Sequence, residues 1–234
     1  MTNRKSLRGL LITLIVVYAA SSLFDLGSRG INILISNFGT PEIAIRYLEV
    51  QSLLSTLLFA ALPLVLFLLV IPQVTGACRR AFVVLALGRG LVTLPYLLVP
   101  LFTGEGEGMI MSLCFTAAEL FVTTTGLVLL ACAVRSRELK TCGIIAAVAH
   151  ALQSVMTLLS LIAGLMLTGD GYFRLWVVIL SYSGIGGFLF GVAEGILTAL
   201  TFLMLLFALR ESAAPAPVGN DETQEANEHV SEND

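Results

Sequence analysis

The chain has 234 residues, of which 57% are hydrophobic and only 12% charged, with a formal net charge of -3. A soluble domain carries about a quarter charged residues, so a mean hydropathy of +0.93 excludes an ordinary soluble protein and points to an integral membrane one. There is no basic patch to hold nucleic acid, no phosphate loop and no dinucleotide fingerprint.

Apolar stretches follow one another at 9–24, 50–71, 81–102, 109–134, 143–168 and 174–209. Each is near or above the roughly 20 residues that cross about 30 Å of hydrocarbon as a helix. The expected fold is therefore an all-α six-transmembrane-helix bundle over 1–210. Its predicted lipid contacts are those of a multi-pass protein of the cell (inner) membrane.

Cytoplasmic loops retain lysine and arginine. With the N-terminus inside, Arg4, Lys5, Arg8, Arg79, Arg80, Arg135, Arg137, Lys140 and Arg210 are cytoplasmic and only Arg29, Arg46 and Arg174 external. That bias predicts both termini in the cytoplasm. The first stretch also fits a cleavable signal peptide, with a basic start, an apolar middle and small residues at its end. A retained first helix, however, completes an even bundle.

The segment "DLGSRGINILISNFGTPEIAIRYLEVQ" reads as the one long external connection. Within it, Thr40, Pro41 and Glu42 form a helix-start signal of hydroxyl cap, proline and first-turn acid, which predicts a helix from Pro41. Pro63 should kink that helix. Its span, "LLFAALPLVLFLLVIP", has no polar stripe and is expected at the periphery.

In the later spans, polar and small residues recur every three or four positions and so share one helix face. The third span carries Arg89, Thr93, Tyr96 and Pro100. The fourth carries Ser112, Thr116, Glu119, Thr123 and Gly126, and the fifth His150, Gln153, Thr157, Ser160 and Gly164. The first span has Tyr18, Ser22, Asp25 and Arg29 towards its external end. Such faces turn inward, because a charge in hydrocarbon costs several kcal/mol. At about 1.5 Å per residue, Arg89 and Glu119 fall at similar depth, which predicts an ion pair with His150 and Gln153 nearby.

The sixth stretch carries Ser183, Gly187, Gly191, Glu194, Thr198 and Thr201 on one face. A single helix over 174–209 would be about 54 Å long. The glycines at 184, 186 and 187 therefore predict a break near Gly184–Gly187, with a full span from 188 to 209. Its "SYSG" superficially resembles the serine motif of rhomboid intramembrane proteases, with Ser183 in the nucleophile place. Ser181 stands where that motif has glycine, and the only later histidine is His229 in the tail, so a serine nucleophile would lack its base.

After Arg210 the composition changes. Residues 211–234 hold seven acids, two prolines and no lysine or arginine, the composition of a disordered acidic tail. Cys78, Cys114, Cys132 and Cys142 imply no disulfide framework, and one membrane histidine is too few for a usual zinc or bis-histidine haem site; no cofactor or metal is expected.

The residues expected to line a ligand or ion pathway are Arg89, Glu119, His150, Gln153, Glu194, Thr116, Thr123, Thr157 and Ser183. This pattern points first to binding or transport of a small solute, an anionic one if Arg89 binds it. A non-catalytic scaffold or assembly factor with a membrane-protein partner is the alternative, and an intramembrane enzyme acting on a lipid or quinone the third.

Overall fold

The computed structural model describes residues 4–98, 105–167 and 173–211. All regular structure within them is helical: α1 (Arg4–Phe38), α2 (Pro41–Ser55), a π-turn (Thr56–Ala61), α3 (Leu62–Val70), a 3-10 turn (Ile71–Gln73), α4 (Gly76–Leu98), α5 (Glu105–Cys132), α6 (Arg137–Leu167) and α7 (Phe173–Glu211). The segments Lys5–Asn32, Ile110–Cys132, Arg137–Met166 and Val177–Arg210 are each long and apolar enough to cross a membrane. The architecture is thus compatible with a multi-pass membrane protein. The acidic tail expected at 211–234 lies, beyond Glu211, outside the described residues.

Three expectations are corrected. The connection after the first span is helical, because α1 continues for 35 residues to Phe38. Nothing in that stretch forbids a helix: it has no proline, and Gly27 and Gly30 cost only about 1 kcal/mol each. The chain then reverses within Gly39 and Thr40, and α2 returns along α1 as a helical hairpin. Thr40 caps α2 as its sequence signals, its hydroxyl accepting from the Ile43 backbone N–H at 3.5 Å. Tyr47 donates to the Ser28 carbonyl (3.2 Å) and Asn32 to Gln51 (3.3 Å), which fixes the hairpin.

The second correction concerns α7, which is one unbroken helix of 39 residues, about 58 Å long. The small residues expected to break it instead admit neighbouring helices. A side chain at Gly186 would press on Met156 of α6 at 3.1 Å, and one at Gly195 would collide with the Ser22 hydroxyl of α1. Packing on both sides offsets the weak helix propensity of glycine.

Third, the segment expected at the periphery supplies the centre of the apolar core. Val65, Leu68 and Leu69 face outward, but Phe67 and Val70 are fully buried. The Phe67 ring lies 5.8–6.5 Å from those of Tyr18 (α1), Phe82 (α4) and Phe202 (α7). Pro63 stands just after the π-turn, in which the Leu62 N–H reaches back five residues to the Leu57 carbonyl.

The core built on these rings includes Leu11, Leu14, Leu66, Leu85, Leu130 and Leu205. It fills the half of the bundle that holds the α1 N-terminus and the α7 C-terminus. In the other half, the inward faces turn polar. Outward faces stay apolar throughout: on α7, Val178, Tyr182, Ile185, Leu189 and Ile196 recur at helical spacing, with Tyr182 74% and Leu189 59% exposed. An apolar outside around a partly polar inside is the distribution that lipid imposes.

Candidate functional site

At the boundary between the two halves, four ionisable side chains from four helices meet. Arg89 (α4), Glu119 (α5), His150 (α6) and Glu194 (α7) are only 9%, 5%, 2% and 8% exposed. Helical stripes bring each of them inward, and close helix approach lets them meet. Gly88, next to Arg89, leaves room for the Thr123 hydroxyl of α5, so α4 and α5 touch at the level of the cluster.

Arg89 donates through Nη2 to Glu194 Oε1 at 3.2 Å and through Nε to the Tyr18 hydroxyl at 3.2 Å. Its guanidinium also lies over the Tyr18 ring, 5.5 Å from the centroid, an arrangement that adds cation–π attraction. The same Glu194 oxygen is 3.1 Å from His150 Nδ1. On the other side of the ring, His150 Nε2 is 3.3 Å from Glu119 Oε1 and 3.4 Å from the Ser154 hydroxyl. The order across the bundle is Tyr18, Arg89, Glu194, His150, Glu119.

The predicted Arg89–Glu119 ion pair is therefore corrected: Arg89 pairs with Glu194, and Glu119 lies against His150. Because α7 does not break, Glu194 reaches the depth of Arg89 and competes successfully for it. The charge count is informative. Arg89 matches one carboxylate, and the second is matched only when both ring nitrogens of His150 carry protons.

Several polar atoms here are buried without an aligned hydrogen bond: Glu119 Oε1, His150 Nδ1, Thr123 Oγ1 and Thr198 Oγ1. Each unsatisfied buried group costs about 1–3 kcal/mol. Thr123 and Thr198 lie one turn from Glu119 and Glu194 on the same faces, so the unsatisfied atoms belong to faces that converge on one place.

The remaining expected residues spread away from the cluster. Thr116 is half-buried one turn before Glu119. Thr157 is half-buried and bonds back to the Gln153 carbonyl at 3.0 Å. Ser183 is buried and shares a 2.8 Å hydrogen bond with Ser160, tying α7 to α6. Gln153 is half-buried beside Gly191, where a Cβ would lie 3.6 Å from Gln153 Cγ and 3.7 Å from Asp25 Oδ2. Further out, Arg29 reaches the Gly184 carbonyl at 3.3 Å and stacks 4.4 Å from the Phe188 ring centroid.

Sequence reasoning misses Tyr18 and Ser154 as members of the site. Tyr18 begins the Tyr18–Ser22–Asp25–Arg29 stripe, whose expected place is the external end alone; its four-three-four spacing is the available signal. Ser154 follows His150 by one turn, the same spacing. No family model, no curated protein and no solved structure matches the chain.

Proposed function

We propose that this protein is a six-crossing membrane protein of the cell (inner) membrane, with both termini cytoplasmic, that binds or translocates a small solute at the Arg89–Glu194–His150–Glu119 cluster. The second and third crossings in this reading are the α2–α3 and α4 segments. One observation carries the functional part: four buried ionisable groups converge, yet Glu119 Oε1 and His150 Nδ1 lack aligned partners. Groups that serve only to hold helices together gain by being satisfied, whereas a site retains donors and acceptors for what it binds. Arg89 would attract an anionic group, which would compete with Glu194 for the guanidinium.

The test is thermal unfolding of the purified protein in detergent across a panel of small anions, amino acids, vitamins and lipids. A ligand at 100 times its Kd stabilises by about 2.7 kcal/mol. That shift should vanish in a folded Arg89→Lys variant, which keeps the charge but loses the fork of donors. If no compound shifts the wild type, the solute reading fails. The Ser160–Ser183 clasp then favours the scaffold reading, in which these polar contacts are structural, and co-purification of a membrane partner would be sought.

A further inference from the structure

We propose that His150 is a proton relay between Glu194 and Glu119, supplied only from the end of the bundle that carries the α1–α2 hairpin. The relay makes the proton the coupling ion of the solute site, and it rests on that reading only for what is coupled to it. Two carboxylates from different helices address opposite nitrogens of one imidazole, at 3.1 and 3.3 Å. Behind Glu194 stand Arg89 of α4 and Tyr18 of α1, and on its own helix the ring meets Ser154. Glu119 Oε1 and His150 Nδ1 have no partner outside these contacts, which leaves both positions open to a proton.

The transfer balances within the trio. A proton carried by Glu194 passes to Nδ1, the O–H bond breaking as the N–H bond forms and the ring becoming imidazolium. The Nε2–H bond then breaks as an O–H bond forms on Glu119, which leaves a neutral ring in its other tautomer. The reverse transfer, from Glu119 to Nε2 and from Nδ1 back to Glu194, restores the first tautomer, so the trio takes up and releases its proton through one end. No redox change and no co-reactant is needed.

Sidedness comes from the two halves of the bundle. Towards the hairpin, Asp25 and Gln153 meet beside Gly191, one turn before Glu194, and Ser22 lies against Gly195. Towards the other end, Phe67, Phe82 and Phe202 pack with centroids 5.8–6.1 Å apart. Carboxylate, amide and hydroxyl groups can pass a proton along; beyond the buried Thr123, Thr198 and Thr201 hydroxyls the packed phenyl rings offer it no acceptor.

The chain has two histidines, so a His229→Gln background makes His150 the sole reporter. In full-length protein with ring-labelled histidine, reconstituted in lipid vesicles, nitrogen NMR between about pH 5 and pH 9 should show the ring exchanging protonation states. Glu194→Gln and Glu119→Gln should each restrict it to a single tautomer. A ring that keeps one state throughout, unaltered by either variant, overturns the relay. In vesicles with the protein in one orientation, a pH step on the hairpin side alone should shift the His150 nitrogen signals, a step on the other side should not, and Gly191→Leu, which fills the polar lane, should abolish the response. A response to a step on the other side, or an undiminished response in Gly191→Leu, overturns the sidedness. No solute is added in either measurement, so failure of the ligand screen and failure of the relay remain separate results.

Discussion

A single oxygen of Glu194 serves two partners, the Arg89 guanidinium at 3.2 Å and the His150 ring at 3.1 Å. Removing one member of a buried ion pair strands the other, at a cost of about 3–5 kcal/mol, whereas replacing both with apolar residues of similar size is far milder. Arg89→Ala should therefore lower the unfolding temperature sharply, and Arg89→Met combined with Glu194→Met should recover most of it; equal losses in the single and double variants would contradict the pairing. Arg89 and Glu194 are legible in the sequence as charges that must face inward. Their pairing is not, because it depends on relative depth, and depth follows from whether α7 breaks, which residue types alone leave to packing. The part played by Tyr18 is hidden similarly, since an aromatic hydroxyl in an apolar helix gains its meaning only from the helix placed beside it.

Local signals decide elements well where the chemistry is local. Thr40, Pro41 and Glu42 start α2 where their caps and dihedral preferences dictate, and Thr40→Ala should cost about 1 kcal/mol, measured by chemical or thermal unfolding. Glycine is ambiguous at this scale, because the same residue that weakens a helix also lets another approach it. Along α7 the second effect wins. The Ser22 hydroxyl lies where a Gly195 side chain would project, so Gly195→Leu should push α1 from α7, pull Tyr18 away from Arg89 and destabilise the fold by more than Gly184→Leu. Gly184 has open space where its side chain would be. Comparable losses at both positions would mean that α1 and α7 do not meet as described.

At the scale of the molecule, the apolar half and the polar half make the bundle asymmetric along its axis. A cysteine placed at Asp25 should react with a membrane-impermeant thiol reagent added from the hairpin side, in a background lacking the four native cysteines. A cysteine at the fully buried Leu14 should stay inert from either side. Much of this asymmetry is visible in the stripes of the later helices. The sealing half is not, because the apolar sequence around Phe67 resembles lipid-facing sequence, and only three-dimensional packing separates a ring in a core from a ring in a bilayer. The π-turn at Thr56–Ala61 gives the molecule a further property. An α-helix turns about 100° per residue, so one extra residue in a helical path sets the rotational phase between the helices on its two sides. Ahead of the turn, α2 is keyed to α1 through Tyr47 and Gln51; after it, Phe67 is keyed to the aromatic core. Ser21 of α1 reaches the Leu58 carbonyl within the turn itself, at 3.3 Å. Deleting one residue there would leave either the hairpin or the ring layer out of register.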